Sequence, residues 1–115
     1  MKTLQGIKID KFPLDNLFKI GDLVNYDGPL LSLFSNPQRE LYLYDWVDSD
    51  KHAHRWLIYR VTPSQLRAYL KRRLTHYELI TSTPSVLLID LDRNIEPQNI
   101  ILLTTKNLPA DYLPE

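Results

Sequence analysis

ELYLYDWVD (residues 40–48) and RWLIYRV (residues 55–61) are the two stretches that decide the fold, and a short polar loop separates them. Both are dense in aromatic, leucine and β-branched residues, a composition that favours strands over helices. Because so short a loop joins antiparallel neighbours, the two stretches predict the central hairpin of a sheet.

Side chains alternate between the two faces of a strand, so each face of this hairpin follows from the sequence. One face carries Tyr42, Tyr44 and Trp46 of the first strand together with Trp56 and Ile58 of the second. With the turn in the middle of the polar loop, Trp46 is predicted to lie opposite Trp56, and Tyr44 opposite Ile58. The other face is also largely apolar, which predicts that both faces are at least partly covered.

The same pattern extends the sheet in both directions. Residues 22–26 and 30–35 are two further predicted strands, with a turn at Asp27-Gly28-Pro29 between them. Together with the central hairpin they form a predicted four-stranded antiparallel meander. Residues 86–91 and 100–104 form a predicted C-terminal β-hairpin.

Two capping boxes predict helices between the meander and the hairpin. Thr62 and Gln65 form the first, with Pro63 at the first helical position, and Thr75 and Glu78 form the second. The first helix is predicted over residues 63–74, because apolar side chains recur there at helical spacing. That stripe consists of Leu66, Tyr69, Leu70 and Leu74. The expected fold class is therefore α+β: a four-stranded antiparallel meander, one or two short helices and a C-terminal hairpin.

The chain is expected to be a single α+β domain over residues 1–115, since this length suffices for one hydrophobic core. Residues 1–21 mix charged and apolar side chains and have no assignable pattern. Residues 106–115 form a tail that its prolines predict to be extended. Leu108, Tyr112 and Leu113 in the tail are expected to be docked, because exposed leucine and tyrosine promote association. Docking on the domain's own sheet is favoured, because a small domain needs the buried area.

Composition indicates an ordinary folded protein and excludes several kinds of site. Hydrophobic residues make up 43% of the chain and charged residues 24%, and 14 basic residues balance 14 acidic ones. This balance disfavours nucleic acid as the partner, because phosphate binding usually needs a basic surplus. The absence of cysteine removes disulfides and thiolate sites and fits a reducing compartment. Without a signal peptide or a membrane-length apolar run, we expect a cytoplasmic protein with no membrane partner.

Two segments have the residue types of a metal site, and we expect neither to bind metal. His52 and His54 share a polar loop with acidic residues but lack a recognised ligand spacing. The second segment resembles a calcium loop without its glycine, and its candidate ligands are Asp90, Asp92, Asn94 and Glu96. Asp90 lies within an apolar strand and is a candidate for a paired, buried carboxylate. No catalytic or cofactor-binding motif is present in the sequence, so no cofactor is expected.

A basic group of residues is the first candidate interaction surface. Arg67, Lys71 and Arg72 lie mostly outside the apolar stripe of the first helix, and Arg60 precedes that helix on a strand. Such a face suits contacts with phosphates. A solvated helix face, with cations near the C-terminus where the helix dipole favours them, is the preferred interpretation.

An aromatic group is the second candidate surface. Its members are Tyr42, Tyr44, Trp46 and Trp56, flanked by arginines. Such rings stack on nucleobases in RNA-binding sheets, and they also dominate protein-binding hot spots. Burial in the core is the simplest interpretation.

Four segments resemble a family of small bacterial domains. They are residues 26–30, residues 41–48, Arg55-Trp56-Leu57 and residues 108–114. The family is frequent in cyanobacteria and actinobacteria and has no assigned function. The resemblance covers the chain from about residue 18 onward, implies a bacterial cytoplasmic origin, and provides no functional residue to transfer.

The expected function is that of a non-enzymatic protein-interaction module, such as an accessory, inhibitor or antitoxin-like subunit, whose partner is another protein. One alternative is a nucleic-acid-binding domain that uses the basic helix. The other is a small metal-dependent hydrolase or nuclease that uses Asp90, Asp92 or the histidine loop.

Overall fold

The computed structural model describes residues 2–114, which form one antiparallel sheet of seven strands with two short helices. The order of strands across the sheet is β1-β7-β6-β5-β4-β3-β2. The strands are β1 (Ile7–Lys8), β2 (Phe18–Asn25), β3 (Pro29–Ser35), β4 (Leu41–Ser49), β5 (Ala53–Val61), β6 (Ser85–Asp92) and β7 (Pro97–Thr104). The helices, α1 (Pro63–Leu70) and α2 (His76–Thr81), lie between β5 and β6 in the chain.

The predicted architecture, a four-stranded meander followed by a separate hairpin, is wrong. The strands of the C-terminal hairpin do not stand apart, because β6 pairs along its length with β5 and continues the meander. The short strand β1, which lies in the segment that the sequence left unassigned, completes the sheet beside β7. Two helices beside an antiparallel sheet are compatible with the α+β class.

One face of the sheet, the helix face, carries the main hydrophobic core. Leu43, Leu57, Leu88 and Leu103 project from four neighbouring strands and are all buried. The helices and the tail cover these side chains. Burial of this apolar area is the main stabilising contribution to the fold.

Both predicted capping boxes are present, and each helix begins where its box predicts. The first helix is shorter than predicted, because α1 ends at Leu70 and Arg72 takes a left-handed conformation with φ of 60°. Leu70 therefore leaves the predicted apolar stripe and is 58% exposed. Leu66 and Leu74 pack against the core as expected.

The opposite face, the strap face, is crossed by the irregular segment 9–17, which we call the strap. The strap joins β1 at one edge of the sheet to β2 at the other. Seven strands span roughly 29 Å, and the chain from Lys8 to Phe18 reaches at most about 35 Å, so the strap has little slack. Its apolar side chains pack on a small cluster formed by Ile58, Leu87 and Ile89.

Gly6 allows β1 to approach β7 closely. A Cβ atom at this position would lie 2.5 Å from Ile101 Cγ2 and 2.8 Å from the carbonyl oxygen of Leu102. Because neither contact is tolerable, a larger residue would push β1 away from the sheet and loosen the start of the strap.

The tail docks on the domain itself, as predicted, but it is not simply extended. Residues Thr105–Asn107 and Ala110–Tyr112 form two short 3-10 helices. Leu108 and Tyr112 are buried, and Leu113 packs against the core of the helix face. Among residues 2–114, no helix is long and apolar enough to cross a membrane.

Candidate functional site

An apolar groove of about 540 Å³ lies on the strap face, between the strap and the loop that joins β6 to β7. This volume falls within the roughly 300–1,000 Å³ that is usual for ligand sites. The side chains that define it are Phe12, Phe34, Tyr44, Trp56, Leu91 and Ile95. A second depression of about 520 Å³ adjoins it and shares Pro29, His54 and Trp56, so the two form one elongated surface. We call the whole surface the groove.

Strand alternation places the aromatic rings of the groove. Phe34, Tyr44 and Trp56 come from β3, β4 and β5, and each points to the strap face. The rings of Phe34 and Tyr44 pack at a centroid distance of 4.1 Å and a tilt of 33°. Trp46 lies opposite Trp56, and Tyr44 opposite Ile58, which confirms the pairing predicted from the sequence.

The rings of the groove are only partly covered. Phe34, Tyr44, Trp46 and Trp56 are half-buried, whereas the neighbouring helix-face residue Leu57 is completely buried. Burial of this aromatic set in the core was the simplest interpretation of the sequence. It holds in part, because Tyr42, Tyr44 and Trp56 pack against the cluster of Ile58, Leu87 and Ile89 but keep part of their surface exposed.

Polar groups in the groove are free to bond a ligand. The indole N–H of Trp56 and the hydroxyl of Tyr44 have no hydrogen-bond partner within residues 2–114. The indole nitrogen of Trp46 donates to His54 Nδ1 at 3.2 Å, so the neutral His54 ring carries its proton on Nε2. Burial raises the pKa of Tyr44 to about 12, so its hydroxyl keeps its proton at neutral pH.

Two of the charged residues that line the groove, Lys19 and Asp92, have partners within the domain. Lys19 forms an ion pair with Asp22, and Asp22 also accepts a hydrogen bond from Ser32 at 2.7 Å. The bond with Lys19, followed by that with Ser32, lowers the pKa of Asp22. Asp92 accepts bonds from the backbone N–H groups of Asn94 and Glu96, which orders the β6–β7 loop. The groove therefore presents a largely apolar surface, with the charges of Lys19, Asp27 and Asp92 at its rim.

Ile95 at the tip of that loop is strained and exposed. Its φ is 60°, in the left-handed region that β-branched residues rarely adopt, and its side chain is 75% exposed. Glycine normally occupies such a position. An isoleucine here lengthens the apolar wall of the groove, and strain of this kind is common beside ligand-binding sites.

A second, smaller cavity of about 280 Å³ contains a histidine–aspartate pair. His76 Nε2 lies 2.8 Å from Asp45 Oδ2, and the hydroxyl of Tyr59 donates to the same oxygen at 3.1 Å. Burial and the nearby Asp45 raise the pKa of Tyr59 well above 10. None of the described residues that line this cavity is a serine, threonine, cysteine or lysine, so these common nucleophiles are absent from its lining.

The basic residues divide between the two faces of the sheet. Arg67, Lys71 and Arg72 are exposed on and after α1, which packs on the helix face. Arg60 lies on the strap face opposite Tyr42 but outside the groove, and it forms an ion pair with Glu40 at 2.8 Å. The sheet therefore separates the basic residues of α1 from the groove.

The predicted interaction residues consequently divide into several groups. Tyr44, Trp46 and Trp56 line the groove, whereas Tyr42 borders the cavity under the strap. The tail residue Tyr112 is buried, and its hydroxyl donates to Asp48 and receives a bond from Arg55.

The candidate metal ligands either bond other groups of the protein or lie away from one another. Asp90 pairs with Arg55, as its position in an apolar strand suggested, and Asp92 organises a loop. His54 is bonded to Trp46. No group of three or more metal-ligand side chains occurs among residues 2–114.

Sequence reasoning missed Phe12, Phe34 and Ile95 as site residues. Phe34 follows Ser32 at strand spacing and so belongs to the strap face, a signal that was present in the sequence. Phe12 and Ile95 reach the groove through the strap and a loop, which no local pattern indicates. Comparison with protein-family models, curated proteins and solved structures finds no match for this chain.

Proposed function

We propose that this chain is a non-enzymatic protein-interaction module that binds its partner through the groove. The proposal includes a bacterial, cytoplasmic setting, in which the chain acts as an accessory, inhibitor or antitoxin-like subunit. The bacterial setting is supported by the resemblance of segments such as residues 41–48 and 108–114, and the cytoplasmic one by the absence of cysteine.

The observation that carries the proposal is the open aromatic surface formed by Phe34, Tyr44 and Trp56. Protein-binding hot spots are rich in tryptophan and tyrosine, held in partly preformed pockets. Here the rings are fixed by three adjacent strands, so little side-chain entropy is lost when a partner covers them. The largely apolar lining, with its charged residues at the rim, also fits the depletion of charge at interface cores.

Nucleic acid is less well supported as the partner. Proteins that stack bases usually place cations beside the rings, to hold the backbone phosphates. In this chain Lys19 is paired with Asp22, and the basic residues of α1 lie across the sheet from the groove. A metal-dependent hydrolase is less well supported because its candidate residues have other partners: Asp90 is paired with Arg55, Asp92 orders a loop and His54 is bonded to Trp46.

Capture of the partner from bacterial lysate, with mass-spectrometric identification and purification, tests the function. We expect the purified partner to bind the wild type and to bind Trp56→Leu and Ile95→Ser at least about tenfold more weakly. Ile95 is exposed, so its replacement leaves the core intact. Matched control variants on the helix face, Arg67→Ala and Arg72→Ala, should bind like the wild type.

Two results would overturn the proposal. Undiminished binding by both groove variants would place the interface elsewhere. Capture that disappears after nuclease treatment of the lysate, together with weaker capture by Arg67→Ala, would favour the nucleic-acid alternative.

A further inference from the structure

We infer that the groove takes an extended, proline-rich segment of the partner, an inference that rests on the protein-interaction function proposed above. Three features of the groove lead to it: its hydrogen-bonding groups, its neighbour on the same face, and its extent and largely apolar lining.

The hydrogen-bonding groups in the groove can all donate, so they suit a ligand that carries hydrogen-bond acceptors. The indole N–H of Trp56 can only donate, and His54 presents Nε2–H because its Nδ1 accepts from Trp46. Tyr44 adds a hydroxyl that keeps its proton at neutral pH. Polyproline II segments fit this set, because their carbonyl groups are free and proline has no N–H to leave unpaired.

The strap already places an irregular, proline-containing segment on this face of the sheet. Its residues Phe12, Pro13 and Leu14 cross the face without regular secondary structure. Pro13 borders a cavity beside Tyr42 and Ile58, and Phe12 forms one wall of the groove. A second proline-containing segment in the groove would therefore lie beside the strap and continue the same kind of packing.

The shape of the groove also fits an extended chain. The two adjoining depressions share Pro29, His54 and Trp56, and their lining consists largely of aromatic and aliphatic side chains. Flat pyrrolidine rings pack well on such walls, and the preformed polyproline II conformation loses little entropy on binding. Lys19 at the rim is paired with Asp22, and the carboxylates of Asp27 and Asp92 also line the groove, so an acidic or phosphorylated ligand would meet like charge there.

The probe for this inference is a capped decaproline peptide, and the readout is the NMR signal of the indole N–H groups. The chain has two tryptophans, Trp46 and Trp56, and both lie along the groove. We expect decaproline to shift the Trp56 signal in a saturable way, whereas a glycine–serine peptide of equal length leaves it unchanged. Trp46→Phe assigns the two signals.

Variants test whether the contact is the proposed one. Tyr44→Phe, which removes only the hydroxyl, should weaken decaproline binding by about threefold, and Ile95→Ser by about fivefold. Arg72→Ala on the helix face should bind decaproline like the wild type. The spectrum of each variant reports directly whether it is folded.

The inference fails if decaproline at about 5 mM, a concentration at which even a millimolar Kd gives a clear shift, leaves the Trp56 signal unmoved. It also fails if the glycine–serine peptide shifts the signal equally. If the wild type does not bind decaproline but the groove variants lose the natural partner, the proposed function stands and only the proline-rich ligand is rejected. Retention of the partner by those variants would reject both.

Discussion

Arg55 and Asp90 face each other on β5 and β6 and form a buried, bidentate ion pair. Arg55 Nε lies 2.8 Å from Asp90 Oδ1, and Nη2 lies 3.0 Å from Oδ2. The bond to Asp90 raises the pKa of Arg55 further above its already high value. The same guanidinium donates to the hydroxyl of Tyr112 at 3.0 Å, so the pair joins the sheet to the tail.

Breaking this pair should destabilise the domain strongly. Asp90→Asn leaves a buried guanidinium without its counter-charge, and we expect the free energy of unfolding to fall by about 3–5 kcal/mol. Urea denaturation measures the change. Glu40→Gln, which breaks the exposed pair with Arg60, is the control and should cost less than about 1 kcal/mol. A loss of similar size in both variants would contradict the structural importance of the buried pair.

Leu57→Ala should destabilise the domain more than Trp56→Ala, although tryptophan is the larger residue. Leu57 is completely buried on the helix face, and Leu57→Ala should cost about 2–5 kcal/mol of unfolding free energy. Trp56 is larger but only partly buried in the groove, so Trp56→Ala should cost about 2–3 kcal/mol despite its size. Chemical denaturation of both variants checks the order, and a larger loss for Trp56→Ala would mean that the groove is closed.

Replacing Ile95 with glycine should stabilise the domain but weaken partner binding. Ile95→Gly relieves a left-handed β-branched residue and should raise the unfolding free energy by about 1 kcal/mol. The same change removes one wall of the groove and should weaken partner binding. Arg72→Gly is the matched control, because Arg72 has the same φ of 60° but lies beyond α1. It should stabilise the domain without affecting binding, as measured by thermal denaturation and titration.

The tail should contribute to stability through Tyr112. Tyr112→Phe keeps the ring but removes the hydroxyl that bonds Asp48 and Arg55, and it should cost about 1–3 kcal/mol. Truncation after Asn107 removes that ring and Leu108, and should lower the melting temperature further. Asp111→Asn, which alters only an exposed tail residue, should melt like the wild type. An unchanged melting temperature after truncation would show that the tail is not docked.

Tyr44 should make the domain sensitive to alkali. Its pKa is about 12 in the folded protein, against 10 for an ordinary tyrosine, because burial disfavours the phenolate. Its contribution to stability is therefore complete below about pH 10 and is lost as the pH rises towards 12. Tyr44→Phe should lose less stability than the wild type over this range in denaturation experiments. Equal losses would mean that the Tyr44 hydroxyl is hydrated.

Local patterns explain which parts of the fold can be predicted from the sequence. The pairing of Trp46 with Trp56 follows from strand alternation and a short loop, and the helix starts follow from Thr62 and Thr75. These features depend on neighbours in the chain. The predicted boundaries of β2 are less accurate, because bulges near Gly21 and Asp22 interrupt its period of two.

Features that depend on distant residues could not be predicted. β1 has only two residues, and its partner Leu102 lies near the other end of the chain. The pairing of β6 with β5 has no sequence signal apart from the opposite charges of Asp90 and Arg55 in apolar strands. The groove could not be foreseen because Phe12 reaches it only through the course of the strap.

The strap has a consequence for the order in which the molecule assembles. Ile7 meets Leu102 only after nearly the whole chain is in place, and contacts so distant in sequence form slowly. A two-residue strand is also weakly held, so this segment should be among the first to open in the folded protein. The strap supplies Phe12 to the groove. The pairing of β1 with the sheet and the binding of a ligand in the groove are therefore coupled equilibria. Whatever fills the groove therefore also holds the first strand in the sheet.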